Sequence, residues 1–252
     1  MPRKVENGEN SWGCKVIFIH KTTAPQELFD LQQTVISEGL SPEEAYKTLK
    51  NPLKDRIRNQ LLNEQGHICA YCMCRIPRDD IDPEIAPVII EHLIARNPKN
   101  GRDVGQGLDY NNFLAVCHGN RGVRGTRKIN DLICDAHREN REFRKINPLD
   151  ASTLESIYYS LDGLIDASDP DVRYDLLDIL NLNCPSAPII SERKAALDSL
   201  IKEFEYISEE ELCLFCREML HNFQEERDPK TPYVGILVWY LESLLKQLDL
   251  EI

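Results

Sequence analysis

The chain has 252 residues, 42% hydrophobic and 29% charged, with a formal net charge of −12 at pH 7. That length buries a core in one large or two small domains, and the composition excludes disordered and collagen-like classes. No apolar run reaches the roughly 20 residues a membrane helix requires, and Met1-Pro-Arg-Lys-Val-Glu-Asn-Gly carries no signal segment, so a cytoplasmic protein without a membrane partner is expected.

Residues 1–12 are polar and predict disorder. Lys15-Val-Ile-Phe-Ile-His20 is β-prone and predicts a short strand, with His20 structural. Leu28, Leu31, Val35 and Ile36 fall on one face of a helix over residues 25–39, which Gly39 ends. Ser41-Pro-Glu-Glu44 is a capping box with proline in the first turn. Pro52 interrupts that helix. Leu53, Ile57 and Leu61 then mark another, stopping near Gly66. Val88-Ile-Ile90 reads as a strand that ends at Glu91-His92.

Beyond residue 150 the pattern becomes helical. Asp162-Gly163 turns a hairpin, and Val172, Leu176, Leu177 and Leu180 form a helical stripe. Ser191 is expected to cap a helix running to about Phe204. A second capping box, Ser208 to Glu211, opens a helix carrying Leu212, Phe215, Cys216, Met219, Leu220 and Phe223, and a last helix covers 234–248. The expected organisation is α+β: an arm and helix over 1–40, a cysteine-bearing unit over 41–150, and a mostly helical domain over 151–252 that docks a partner.

Nine cysteines in a reducing compartment point to metal ligands, core residues or reactive thiols, not disulfides. Cys69-Ala-Tyr-Cys72 has the reach of a two-thiolate zinc turn. Cys117 and Cys134 supply a second pair, separated by 16 residues and joined by the glycine-rich Gly119-Asn-Arg-Gly-Val-Arg-Gly. Four-cysteine zinc binding is expected; buried cysteines beside a turn are the alternative, and Cys74 is a substitute ligand. Cys213-Leu-Phe-Cys216 lies within an amphipathic helix and reads as core. In Glu91-His92 a carboxylate that holds a divalent cation stands next to an imidazole that takes a proton from water. Residues 94–145 hold 11 Lys or Arg against 6 Asp or Glu, leaving 19 against 36 elsewhere. Such a basic stretch on an acidic body suits a phosphate backbone or a plain solvated face.

Residues 53–148 resemble the HNH, or ββα-metal, endonucleases, and in particular the subfamily that includes PtuB of Septu and retron anti-phage systems. The resemblance rests on Cys69-Ala-Tyr-Cys72, Ile90-Glu-His92, Tyr110-Asn-Asn112-Phe-Leu-Ala-Val-Cys117, Cys134-Asp135 and Ile146-Asn-Pro148. Tyr159-Ser-Leu-Asp-Gly163 and Leu180-Asn-Leu-Asn183 followed by Pro188 extend it. It implies a zinc-stapled ββα-metal core with N-terminal helices and a helical C-terminal domain. It implies His92 as general base, Asn112 as the residue orienting base or metal, and Glu91 as a ligand of a catalytic Mg²⁺ or Mn²⁺. The family's last ligand falls near Asp135, with His137, Asn140 and Asn120 close by; Asp135 and then His137 are expected. Arg121, Arg124 and Arg138 are the expected phosphate contacts. The activity implied is nucleic-acid hydrolysis, DNA favoured, by a defence effector with a PtuA-like ATPase partner and a retron RNA–DNA. An RNA-cleaving (tRNA) effector and an inactive zinc-stapled nucleic-acid-binding module are the alternatives.

Overall fold

The structure, a computed structural model, describes residues 18–77, 88–97, 107–122 and 128–250. Three N-terminal helices come first: α1 (Gln26–Ser37), α2 (Pro42–Thr48) and α3 (Leu53–Gln65). Ser41 caps α2 in a complete capping box with Glu44, and Gly66 ends α3 in the left-handed conformation only glycine adopts cheaply. On α1, Leu28 and Val35 are buried, whereas Ile36 points outward. Of the expected strand at 15–20, residues 18–20 have no strand pairing, and 15–17 lie outside the described residues, as do 1–12. Ile19 instead donates its N–H to the Pro148 carbonyl at 2.9 Å.

Strands β1 (Ile89–His92) and β2 (Phe113–Val116) pair antiparallel, with Ile89 opposite Val116 and His92 opposite Phe113. Val88-Ile-Ile90 therefore does not end before the Glu-His dipeptide, which is part of the strand. A two-stranded ribbon leaves strand edges open. On β2 the buried Gln65 closes one: Ala115 donates its N–H to Gln65 Oε1 at 2.8 Å, and Gln65 Nε2 donates to the Ala115 carbonyl at 2.7 Å. The short helix α4 (Cys134–Arg138) follows in chain order.

The C-terminal part begins with the hairpin β3 (Ile157–Tyr159) and β4 (Ile165–Ala167), turning at Gly163 with φ +83°. Helix α5 (Pro170–Tyr174) runs directly into a π-turn over Asp175–Ile179. Then come α6 (Ile189–Glu203), α7 (Glu209–Glu225) and α8 (Val234–Leu250). Helix α6 starts at Ile189 behind Pro188. Ser191 is not its cap, because its hydroxyl bonds back to the Pro188 carbonyl at 2.8 Å. No described helix is long and apolar enough to cross a membrane.

One continuous core draws on all three stretches of chain, from Leu28 and Leu61 through Phe113 and Cys134 to Leu197 and Leu241. The 151–252 stretch is tied to the cysteine turn by backbone bonds. Tyr233 donates its N–H to the Met73 carbonyl, and Lys230 to that of Gly66, each at 2.9 Å.

Two buried carboxylates behave oppositely. Asp175 is fully buried and accepts the backbone N–H groups of Arg144, Lys145 and Ile146 at 2.8–3.0 Å. Asp175→Ala removes the acceptor of three backbone donors, of which Ile146 is buried and Arg144 and Lys145 are part-buried, and is expected to cost roughly 3–5 kcal/mol in urea unfolding. Glu242 on α8 is buried, and its Oε1 has no hydrogen-bond partner. Burial raises its carboxyl to about 7, against the pull of Lys246. A raised carboxyl favours folding while protonated, and that advantage is lost as pH rises from about 4.5 through 7. Glu242→Gln should therefore stabilise the protein above pH 7, by about 1–3 kcal/mol after discounting for partial exposure. It should leave stability nearly unchanged below pH 4.5; melts at both ends of that window test the sign.

Candidate functional site

The tight turn after α3 is closed by backbone bonds from Cys69 N–H to the Cys74 carbonyl at 2.9 Å and from Met73 N–H to the Cys69 carbonyl at 3.0 Å. It points Cys69 and Cys72 at Cys117, which directly follows β2, and at Cys134, which opens α4. All four are buried, and their sulfurs lie within 4.8 Å of one another. Cys72 Sγ is 3.8 Å from Cys117 Sγ, and Cys69 Sγ is 4.0 Å from Cys134 Sγ. Sulfurs each about 2.3 Å from a tetrahedral zinc are about 3.8 Å apart. Hydrogen bonds from Cys117 and then Cys134 bring the Cys72 thiol down to about 6, while the Cys117 and Cys134 thiols are pushed up. The cluster has the donor set and spacing to hold zinc. Cys74 is buried beside it but outside the four-sulfur group. Cys216 is buried in the core, and neither it nor Cys213 joins a metal-sized group among the described residues.

Cys134 is covalently next to Asp135, so the sulfur cluster fixes the start of a second constellation. Asp135 comes from α4 and Glu91 from β1, near enough that the Asp135 charge acts on the Glu91 carboxyl. Burial, then the Asp135 charge, raise the Glu91 carboxyl to about 8, against the pull of Arg138. Arg138 Nη1 donates to Glu91 Oε1 at 2.5 Å and to the His92 carbonyl at 2.9 Å, and Nη2 to the Leu93 carbonyl at 2.6 Å. The Tyr71 hydroxyl lies 3.5 Å from Glu91 Oε1.

His92 Nε2 is 3.1 Å from the Gly107 carbonyl. A carbonyl only accepts, so Nε2 carries the proton and Nδ1 keeps its lone pair. The ring sits edge-on to Tyr46 and Phe113, with centroids at 4.7 and 4.9 Å. Burial lowers its pKa to about 3, so the imidazole is neutral. Asn112 grips the chain just past His92: it accepts the Ile94 N–H at 2.7 Å and donates to the Ile94 carbonyl at 3.0 Å.

Other expected residues are placed differently. Arg138 is not a surface phosphate contact, because its side chain is 1% exposed and its guanidinium is consumed by Glu91 and three backbone carbonyls. His137 does not reach Glu91; its Nδ1 bonds to the Ile179 carbonyl at 2.9 Å and meets the Arg141 guanidinium. Arg121 is partly exposed and pairs with Asp135 at 3.2 Å. Arg124 lies outside the described residues. Sequence reasoning passed over Tyr71, Tyr46 and Gly107. For Gly107 the fold supplies the reason: a Cβ there would lie 1.9 Å from the Pro42 carbonyl oxygen, and nothing in the local sequence reveals that neighbour.

No family model matches the chain, and no curated protein matches it.

Proposed function

We propose that the chain is a metal-dependent endonuclease of the HNH type, with a structural zinc on Cys69, Cys72, Cys117 and Cys134. One observation carries this reading. A strand bearing Glu91 and a neutral, carbonyl-anchored His92 meets Asp135 from the short helix that Cys134 opens. The order strand, strand, short helix around that meeting point suits a ββα-metal core. Two carboxylates near enough to act on each other's charge are a donor set for a divalent cation such as Mg²⁺ or Mn²⁺, which would stabilise charge on the leaving oxygen. His92, held by Gly107, presents Nδ1 as the acceptor for a proton from water. Asn112 fixes the turn behind it. The buried Arg138 bridges β1 and α4, so it positions Glu91. Arg121 is the described cation nearest to hand for the phosphate backbone. DNA is the favoured substrate, RNA the alternative, and an ATPase partner in a defence system is part of the proposal through the resemblance to PtuB-type proteins.

A second reading has its own observation. Arg138 already occupies Glu91 Oε1, and His92 is buried at 4% exposure with its pKa lowered to about 3, a weak proton acceptor, as in a zinc-stapled nucleic-acid-binding module without catalysis. Plasmid nicking by the purified full chain separates them: the nuclease nicks with Mg²⁺ or Mn²⁺ and stops with EDTA. Salt-sensitive binding with no nicking in either metal would leave the binding module.

A further inference from the structure

Among the described residues two arginines are buried, Arg138 and Arg193. A guanidinium does not shed its proton inside a protein. Each therefore carries a full positive charge out of water, at a cost that an opposite charge must offset. Arg138 has Glu91. Arg193, on α6, has no carboxylate partner among the described residues. Its Nη1 donates to the Gly163 carbonyl at 2.9 Å and faces Asn183 Oδ1 at 3.5 Å, and its Nη2 donates to the Leu182 carbonyl. These acceptors are neutral. They satisfy the N–H groups but leave the charge without a counterpart.

The four-cysteine cluster has the opposite need. Four thiolates on one Zn²⁺ make a dianion, and here all four cysteines are buried. A backbone N–H reaches one of the sulfurs, from Cys117 to Cys69 Sγ at 3.4 Å. The chain brings cluster and cation together. The Leu180 carbonyl takes the Cys134 N–H at 2.9 Å, and the Leu182 carbonyl, two residues on, takes Arg193 Nη2. Burial pushes the Arg193 pKa down, and the side chains that pull it back are Tyr159, Cys72, Tyr233 and Cys134. Phenols are neutral near pH 7. That leaves the two cysteines, one from each half of the cluster. We propose that Arg193 is the counter-ion of the zinc centre, a cation from the 151–252 stretch that offsets part of the charge of the buried tetrathiolate. The inference rests on the four-cysteine zinc reading and not on the nuclease.

A counter-ion differs by its charge from a plain tie between the β3–β4 turn and the 182–183 segment. Iron loaded into the full chain in place of zinc reads that charge, because four thiolates hold Fe³⁺ as a monoanion and Fe²⁺ as a dianion. A nearby cation favours the dianion. Arg193→Gln keeps donors for the carbonyls and drops the charge. It should shift the iron equilibrium about tenfold toward Fe³⁺, a fall in potential of about 59 mV for one electron. Arg193→Lys should stay near the wild-type potential. Zinc release to a chromogenic chelator should follow the same order, about tenfold faster from Arg193→Gln than from Arg193→Lys. Urea unfolding with zinc and with EDTA covers a variant that is less stable throughout. A counter-ion matters only while the centre is charged, so the cost of Arg193→Gln should shrink or reverse without metal. An unchanged potential in Arg193→Gln, an equal fall in both variants, or the same loss of stability with and without metal overturns the proposal. Wild-type protein that takes up neither zinc nor iron overturns the zinc reading and the counter-ion with it. Metal bound with an unmoved potential in Arg193→Gln overturns the counter-ion alone.

Discussion

Cys134→Ala is expected to lose bound zinc and most of the folded population at 37 °C. The residue is fully buried, its N–H donates to the Leu180 carbonyl at 2.9 Å, and its sulfur completes the four-cysteine group. A structural zinc contributes on the order of 10 kcal/mol to folding, comparable to the whole net stability of a domain at roughly 5–15 kcal/mol. The damage should spread along defined contacts. Cys134 starts α4, and α4 carries Asp135 and the Arg138 that joins β1 through Glu91, His92 and Leu93. Cys117→Ala should behave alike, because Cys117 ends β2 and fixes the other half of the cluster. Cys216→Ala, by contrast, should keep its zinc and lose only core packing, by about 1–3 kcal/mol. Metal analysis with circular dichroism reads all three variants. Full zinc occupancy in both Cys117→Ala and Cys134→Ala would remove this ligand set, and zinc lost only with Cys213 or Cys216 would move the site to α7.

What could be read from the sequence divides along physical lines. Local signals carried far. The Ser41-Pro-Glu-Glu44 box, the Gly66 stop and the Asp162-Gly163 turn are each decided within a few residues, and each occurs where expected. The Cys69-x-x-Cys72 turn located the cluster because a metal needs convergent thiols whatever the intervening chain does. Failures came where distant contacts decide. Ser191 offers a good cap, but α6 starts at Ile189, two residues before it, and its hydroxyl is satisfied by the Pro188 carbonyl. Arg138 belongs to a basic stretch and reads as a phosphate contact; only the fold brings Glu91 and the His92 and Leu93 carbonyls onto its guanidinium. His137 likewise follows the last cysteine at a plausible ligand spacing, yet the five-residue α4 turns it toward Ile179. Continuity of the core across 150 is equally invisible in sequence, since it depends on α8 packing on β3 and on the 228–233 segment bonding back to Gly66 and Met73.

His92→Ala is expected to lower cleavage by about 10²- to 10⁴-fold, the usual contribution of a positioned general base, with zinc content retained and a loss of stability of about 1–3 kcal/mol from the cavity it leaves beside Tyr46 and Phe113. The argument begins with tautomer. Gly107 takes the Nε2 proton, burial keeps the ring neutral, and Tyr46 and Phe113 hold it edge-on from two sides. The lone pair on Nδ1 is then fixed in place, on a strand whose neighbouring residue is the Glu91 that meets Asp135. Alanine removes the acceptor but neither the sulfur cluster nor the Arg138 bonds, since those to this stretch reach the His92 and Leu93 backbone carbonyls and the Glu91 carboxylate. Binding of nucleic acid should therefore persist and stay salt-sensitive through Arg121. A companion variant tests the anchor itself. The Cβ of Gly107→Ala would collide with the Pro42 carbonyl, so the 107–110 segment must shift off the imidazole. Cleavage should fall while Nδ1 and Nε2 exchange protonation, visible as a change in the ring ¹⁵N shifts. If His92→Ala cleaves at the wild-type rate, the base is another group, and the buried His118, which directly follows the cluster's Cys117, becomes the residue to change next.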